Sequence, residues 1–201
     1  ESGWYTGTVT VTAPAGFTIS QTPTGTYAAS FTTTQNGANT YYLKQDGTGY
    51  LTAARTIDIP ADNAAPVIGT LTYSEHNSFL GWLFHKEKID ITVPVTDDAS
   101  GVDHVSYTLT PEGGAAAAPV TAAVNNGAAV ITVSKTFRGT VSVTAYDKAG
   151  RASTPAASDK LFVEDTAPTL TVTDGSGAAL SENWYASKPT VMIVASDSGL
   201  A

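Results

Sequence analysis

Gly3-Trp4-Tyr5 followed by Val9-Thr10-Val11, Gly81-Trp82-Leu83 followed by Ile89-Asp90-Ile91-Thr92-Val93, and Asn183-Trp184-Tyr185 followed by Val191-Met192-Ile193 are three copies of one pattern. Each sets an aromatic pair four to seven residues ahead of an alternating strand, and together the copies use all three tryptophans of the chain. A second marker falls between copies: Asp62-Asn63-Ala64-Ala65-Pro66-Val67-Ile68 and Asp165-Thr166-Ala167-Pro168-Thr169-Leu170. Self-similarity of this kind marks a modular array and overrides a domain count taken from length. The expected division is 1–62, 63–165 and 166–201, with modules of unequal size.

Within those spans the apolar residues recur with the period of a strand, and helical periodicity appears nowhere in 1–62. That first module has strand candidates at Val9–Ala13, Tyr27–Thr34, Thr40–Lys44 and Tyr50–Ile59. Asn36-Gly37 is a hairpin signal there, and Asp46-Gly47-Thr48-Gly49 a tight turn. The second module has candidates at Val67–Tyr73, Ile89–Thr96, Val102–Thr110, Ala128–Ser134, Thr140–Tyr146 and Asp159–Val163. Its turns fall at Asp97-Asp98-Ala99-Ser100-Gly101, Asn126-Gly127 and Asp147-Lys148-Ala149-Gly150. Short strands at this spacing predict an all-β chain of tandem immunoglobulin-like β-sandwich modules. The third span offers Thr169–Thr173 and Val191–Ala195, a pair that is marginal unless it docks on a neighbour. The first module starts two residues ahead of Trp4, without a strand of the Val67–Tyr73 kind. A lost first strand or a shorter module type would both explain that, and the expectation is a slice of a longer protein.

Composition narrows the function classes. Hydrophobic residues make up 42% and charged residues 14%, so the chain can bury a core. A formal charge of −8 argues against a nucleic-acid binder, since phosphates need clustered Lys and Arg, and against attachment to anionic lipid. The absence of cysteine excludes a disulfide framework and a thiolate zinc site. No window reaches the roughly 18 apolar residues of a membrane span. Both junctions replace a flexible Gly/Ser tract by an Asp, small residues and one Pro, which predicts a short, extended, semi-rigid joint.

At these residues the chain resembles the Ig-like repeat modules of large bacterial cell-surface proteins, those of Gram-positive bacteria especially. Such modules carry the Trp-Tyr start with its Val-Thr-Val strand, and a Ser-Gly-hydrophobic turn, here Ser100-Gly101-Val102 and Ser198-Gly199-Leu200. They also carry an Ala-aromatic-Asp-x-x-Gly turn, here Ala145-Tyr146-Asp147 to Gly150, and a closing Asp-x-Ala-Pro. The first module departs from the pattern, reading Ala13-Pro14-Ala15-Gly16-Phe17 where a Ser-Gly turn belongs. The resemblance implies a secreted, cell-wall-associated stalk or adhesin with no enzyme activity in these modules.

Four sets of side chains are candidates for chemistry. Exposed Trp82 and Phe84, in the aromatic cluster Phe79–Phe84, would stack on sugar rings; their recurrence at one place in every module favours packing beneath a sandwich edge instead. Asp62, Asp97, Asp98, Asp147 and Asp165 fall at loops and junctions, where calcium would require six to eight converging oxygens. Against that reading, Asp in a turn commonly bonds its own backbone. Lys44, Lys88, Lys135 and Lys160 lie on or beside strands; the resemblance implies that one of them, if buried, could be cross-linked to an Asn or Asp, though Lys is seldom fully buried. His76, His85 and His104 are scattered without metal-ligand spacing, and neither a zinc-protease nor a nucleophile-elbow motif occurs. The expectation is a non-enzymatic spacer with no cofactor, whose partners are its neighbouring modules. An adhesive or glycan-binding module stays open as an alternative, as does an accessory region of a large secreted enzyme.

Overall fold

The computed structural model describes residues 3–134, 136–179 and 187–197. Among these residues every regular element is a strand. The first region holds β1 (Val9–Thr12), β2 (Phe17–Ser20), β3 (Ser30–Thr33), β4 (Gly37–Gln45) and β5 (Arg55–Ile59). β1 pairs with β3, and β2, β4 and β5 form a second small sheet in that order. Ile19, Leu43, Ile59 and Ala61 are its buried apolar residues. The strand expected over Tyr50–Ile59 is confined to β5, and β2 is a strand that the alternation did not bring out.

Asn36-Gly37 is not a hairpin: β3 and β4 belong to different sheets. Gly37 takes φ +82°, and the Asn36 Oδ1 accepts a hydrogen bond from the Ala61 N–H at 3.1 Å. The dipeptide therefore carries the chain from one layer to the other. Asn126-Gly127 is a two-residue hairpin loop, with Asn125 opposite Ala128. Both loop residues have positive φ, as the right-handed strand twist demands of such a turn.

The second region is the main body. It contains β6 (Val67–Ile68), β7 (Thr72–Tyr73), β8 (Asn77–Phe79), β9 (Trp82–His85), β10 (Lys88–Thr96) and β11 (Val102–Pro111). Next come β12 (Val120–Asn125), β13 (Ala128–Ser134), β14 (Phe137–Asp147), β15 (Ala156–Ala157) and β16 (Lys160–Val163). One layer is built from β6 and β7 on β10 and β10 on β13; the other runs β11-β14-β16-β9-β8. β12 pairs with both β11 and β13 and so joins the layers along one edge. The result is an immunoglobulin-like sandwich.

Strict alternation explains its core. Ile89, Ile91, Val93 and Val95 of β10 point inward, as do Ala129, Ile131 and Val133 of β13 and Val141, Val143 and Ala145 of β14, all buried. Each buried Val or Ile among them contributes roughly 1.5–3 kcal/mol on leaving water. Gly139, in the same β14 row, has no room for a Cβ, which would collide with the Thr110 carbonyl oxygen. Here the strand needs glycine for close backbone approach.

The opening aromatic segments now acquire a place. β9 pairs with the closing strand β16 in parallel, Trp82 opposite Lys160 and Phe84 opposite Phe162. In the first region Tyr5 bridges Ala61, also in parallel. In both regions the opening aromatic segment therefore lies beside the closing one. Beyond residue 168, β17 (Thr169–Asp174) and β18 (Val191–Ser196) form an antiparallel pair with Leu170, Ile193 and Val194 exposed. Trp184, Tyr185 and the Ser198-Gly199-Leu200 turn lie outside the described residues.

Candidate functional site

Two of the inward-facing rows end in a carboxylate. The row Ile89, Ile91, Val93, Val95 of β10 continues in register to Asp97, just past the strand end, and the row Val141, Val143, Ala145 of β14 continues to Asp147. The rows come from opposite layers and finish at the same end of the sandwich, where the chain arrives from the first region. Asp62, from the incoming Asp-Asn-Ala-Ala-Pro junction, sits over them. One carboxylate oxygen from each of Asp62, Asp97 and Asp147 lies within 4.8 Å of the other two. Asp62 is 0% and Asp147 2% exposed.

Hydrogen bonds fix the outer oxygens of this trio. Asp62 accepts from the Ala64 N–H through Oδ1 at 3.0 Å, and from the Ser100 N–H through Oδ2 at 3.0 Å. Asp97 Oδ1 accepts from the Ala99 and Gly101 N–H groups at 3.2 and 2.7 Å. Asp147 Oδ1 accepts from the Arg151 N–H at 2.8 Å. The Ser-Gly turn and the Ala-Tyr-Asp turn are themselves joined, Lys148 N–H to Gly101 carbonyl at 3.0 Å and Ala149 N–H to Ser100 Oγ at 3.3 Å. The three repeat markers are therefore components of one structure.

What remains is an electrostatic imbalance. Asp97 Oδ2 and Asp147 Oδ2 are buried with no hydrogen-bond partner. Among the described residues no Lys or Arg nitrogen lies within 4.0 Å of the three carboxylates. Burial by itself would push the Asp62 carboxyl up. The hydrogen bonds from Ser100 and Ala64 and the Arg151 guanidinium nearby outweigh it, holding Asp62 below the ordinary aspartate value. Two unit charges about 5 Å apart repel by roughly 3 kcal/mol at an effective dielectric constant near 20.

Asp98 and Asp165, the other two aspartates singled out from the sequence, are not part of the trio. Asp98 is exposed on the same turn as Asp97, and Asp165 is exposed at the second junction, accepting from Thr136 Oγ1 at 2.9 Å. Beside Asp165 is a cleft of about 750 Å³ whose walls include Phe84, Phe162, Glu164, Pro168 and Asp197.

Trp82 and Phe84 are engaged by their own sandwich. The Arg138 guanidinium sits 5.0 Å from the Trp82 ring centre and the Lys160 ammonium 5.1 Å from it, while Phe162 meets Trp82 edge-on and Phe84 at 5.1 Å. Such contacts hold an amphipathic edge together. Lys44, Lys88 and Lys160 are exposed, and Lys135 lies outside the described residues. Lys88 pairs with Asp90 at 3.0 Å. His104 stacks on Tyr146 and contacts Asp103 at 2.7 Å. Among the described residues, neither the other three lysines nor the histidines form a converging set of ligands.

The sequence signal that finds Asp97 and Asp147 is the apolar row that ends in an acid, Ile-x-Ile-x-Val-x-Val-x-Asp and Val-x-Val-x-Ala-x-Asp. No family model and no curated protein sequence matches the chain. Among solved structures, the fibronectin(III)-like modules of CbhA from Clostridium thermocellum are similar, with 14% identity and a TM-score of 0.37 over 80% of this chain and 88% of that one. So distant a likeness carries no argument about function; the immunoglobulin-like assignment stands on the strand pairing described above.

Proposed function

We propose that the chain is a non-enzymatic spacer, a run of immunoglobulin-like modules that holds another part of its parent protein at a distance from a bacterial cell surface. The observation that carries this reading is the joint at 61–66, which is fastened on both sides. Toward the first region, Asp62 N–H donates to the Tyr5 carbonyl at 2.8 Å and Gly7 N–H to Asn63 Oδ1 at 2.6 Å. Toward the second, Ser100 bonds the Asp62 carboxylate, and Arg151 Nε donates to the Asp62 carbonyl at 3.0 Å. A linker so tied transmits orientation from one sandwich to the next, where a free linker would let them tumble.

The engagement of the Trp82 and Phe84 rings by Arg138, Lys160 and Phe162 favours packing over sugar stacking for that edge. Because the chain has no cysteine, two can be introduced for spin labels without background. Labels at exposed Thr48 and Ala116 should give one narrow distance distribution. A distribution as broad as that of a flexible tether would overturn the spacer reading. So would specific glycan-array binding that Trp82→Ala abolishes without unfolding the chain.

A further inference from the structure

We propose that Asp62, Asp97 and Asp147 bind one calcium ion at the joint between the first and second regions. The acidic cluster alone would not carry this. The independent sign is that Asp147, almost wholly buried, turns one oxygen inward with nothing to bond, and that Asp97 does the same. A buried carboxylate oxygen without a partner is costly, and protein interiors satisfy such groups by hydrogen bonds, counter-charges or metals. The remaining oxygens of the trio are already held by backbone N–H groups, so the carboxylates are oriented before any ion arrives.

The donor set selects the ion. All the side-chain donors are carboxylate oxygens, which suit hard cations and not the thiolate- or imidazole-seeking metals. Calcium oxygens lie about 2.3–2.6 Å from the ion, so ligands on opposite sides of it are about 5 Å apart. The separations here, up to 4.8 Å, fit across such an ion. Magnesium usually takes only one or two protein carboxylates and keeps most of its waters. Two positive charges against three negative ones leave a residual that the nearby Arg151 guanidinium offsets. Solvent would complete the shell through the partly exposed Asp97 side of the cluster.

The ion would bind the exit of one region to both layers of the next. Only that mechanical consequence rests on the spacer reading; the binding site does not. The test uses the whole chain, stripped with EDTA and titrated calorimetrically with CaCl2 and, separately, MgCl2, with thermal melts in each state. One calcium per chain is expected, binding at least tenfold tighter than magnesium, with a melt several degrees higher in calcium than in EDTA. Asp97→Asn and Asp147→Asn should each abolish the calcium-dependent shift, and Asp98→Asn, altering an exposed neighbour, should keep it. Should Asp147→Asn fail to fold, Asp97→Asn decides by itself. Absence of calcium heat together with identical melts in the unmodified chain overturns the proposal. A shift that survives in Asp97→Asn, or tighter binding of magnesium, overturns it too. A broad spin-label distribution with calcium bound would sink the spacer and leave the site, whereas a narrow one without calcium binding would do the reverse.

Discussion

The two junctions share a motif and differ in fate. Asp62 and Asp165 each begin an Asp–small–Pro joint, yet Asp62 is sealed against the second sandwich while Asp165 is exposed and bonded to Thr136. At the first joint, two loops of the second sandwich receive the aspartate. After residue 66 come both a turn of the Asp97–Gly101 kind and one of the Ala145–Gly150 kind, and together they wall in the incoming aspartate. At the second joint, among the described residues, Asp165 is held only by the Thr136 hydroxyl of the sandwich it leaves. The Asp62 joint is thus only half of a connection, whose other half lies in two distant loops of the second sandwich.

Replacing Asp62 is the hardest blow to that contrast. Asp62→Ala leaves the buried Ser100 N–H without its acceptor and should cost about 2–4 kcal/mol in urea unfolding of the second region in calcium-containing buffer. A loss below about 0.5 kcal/mol, the size of an ordinary surface change, would erase the distinction between the joints. The same carboxylate should be visible in acid. Because its folded pKa lies below the ordinary 3.8, its stabilisation is complete above that pH and fades as pH falls through the folded value. The unmodified chain should therefore lose stability more steeply below about pH 3.8 than Asp62→Asn does, and parallel curves would refute the assignment. Arg151→Ala removes the bond to the Asp62 carbonyl and a weaker one to Asn63 at 3.3 Å. A loss of about 1 kcal/mol is expected, with a broader spin-label distribution across the joint. The smallest effect belongs to Asp165→Ala, within about 0.5 kcal/mol by the same unfolding assay. A cost equal to that of Asp62→Ala would show the two joints to be alike.

The sequence announced most of the second sandwich, because its inward rows alternate without a break and their turns carry the right residues. Ala128–Ser134 matches β13 end to end, and Asn126-Gly127 makes the hairpin it advertises. The identical dipeptide at 36–37 does not, since a turn signal fixes local φ and ψ but not which strand receives the chain. Trp82 was legible as a landmark and not as half of a parallel pair with β16, a contact 78 residues distant in sequence. The aspartates were legible one at a time. Their convergence depends on how two layers and a linker stack, which no local pattern encodes. Asp98, beside Asp97 but out of step with the inward row, shows that one residue of register decides between core and solvent.

The parallel pairing of β9 with β16 has a consequence for a chain under tension between its ends. Force that enters near Pro66 and leaves near Glu164 first loads β6 and β7 on β10, and once they part it pulls β9 and β16 along their length in opposite directions. Their hydrogen bonds then share the load in shear and must fail together, whereas an antiparallel pair pulled from its open end unzips one bond after another. Where the first aromatic segment settles thus determines whether the sandwich meets a pull as a lap joint or as a zipper.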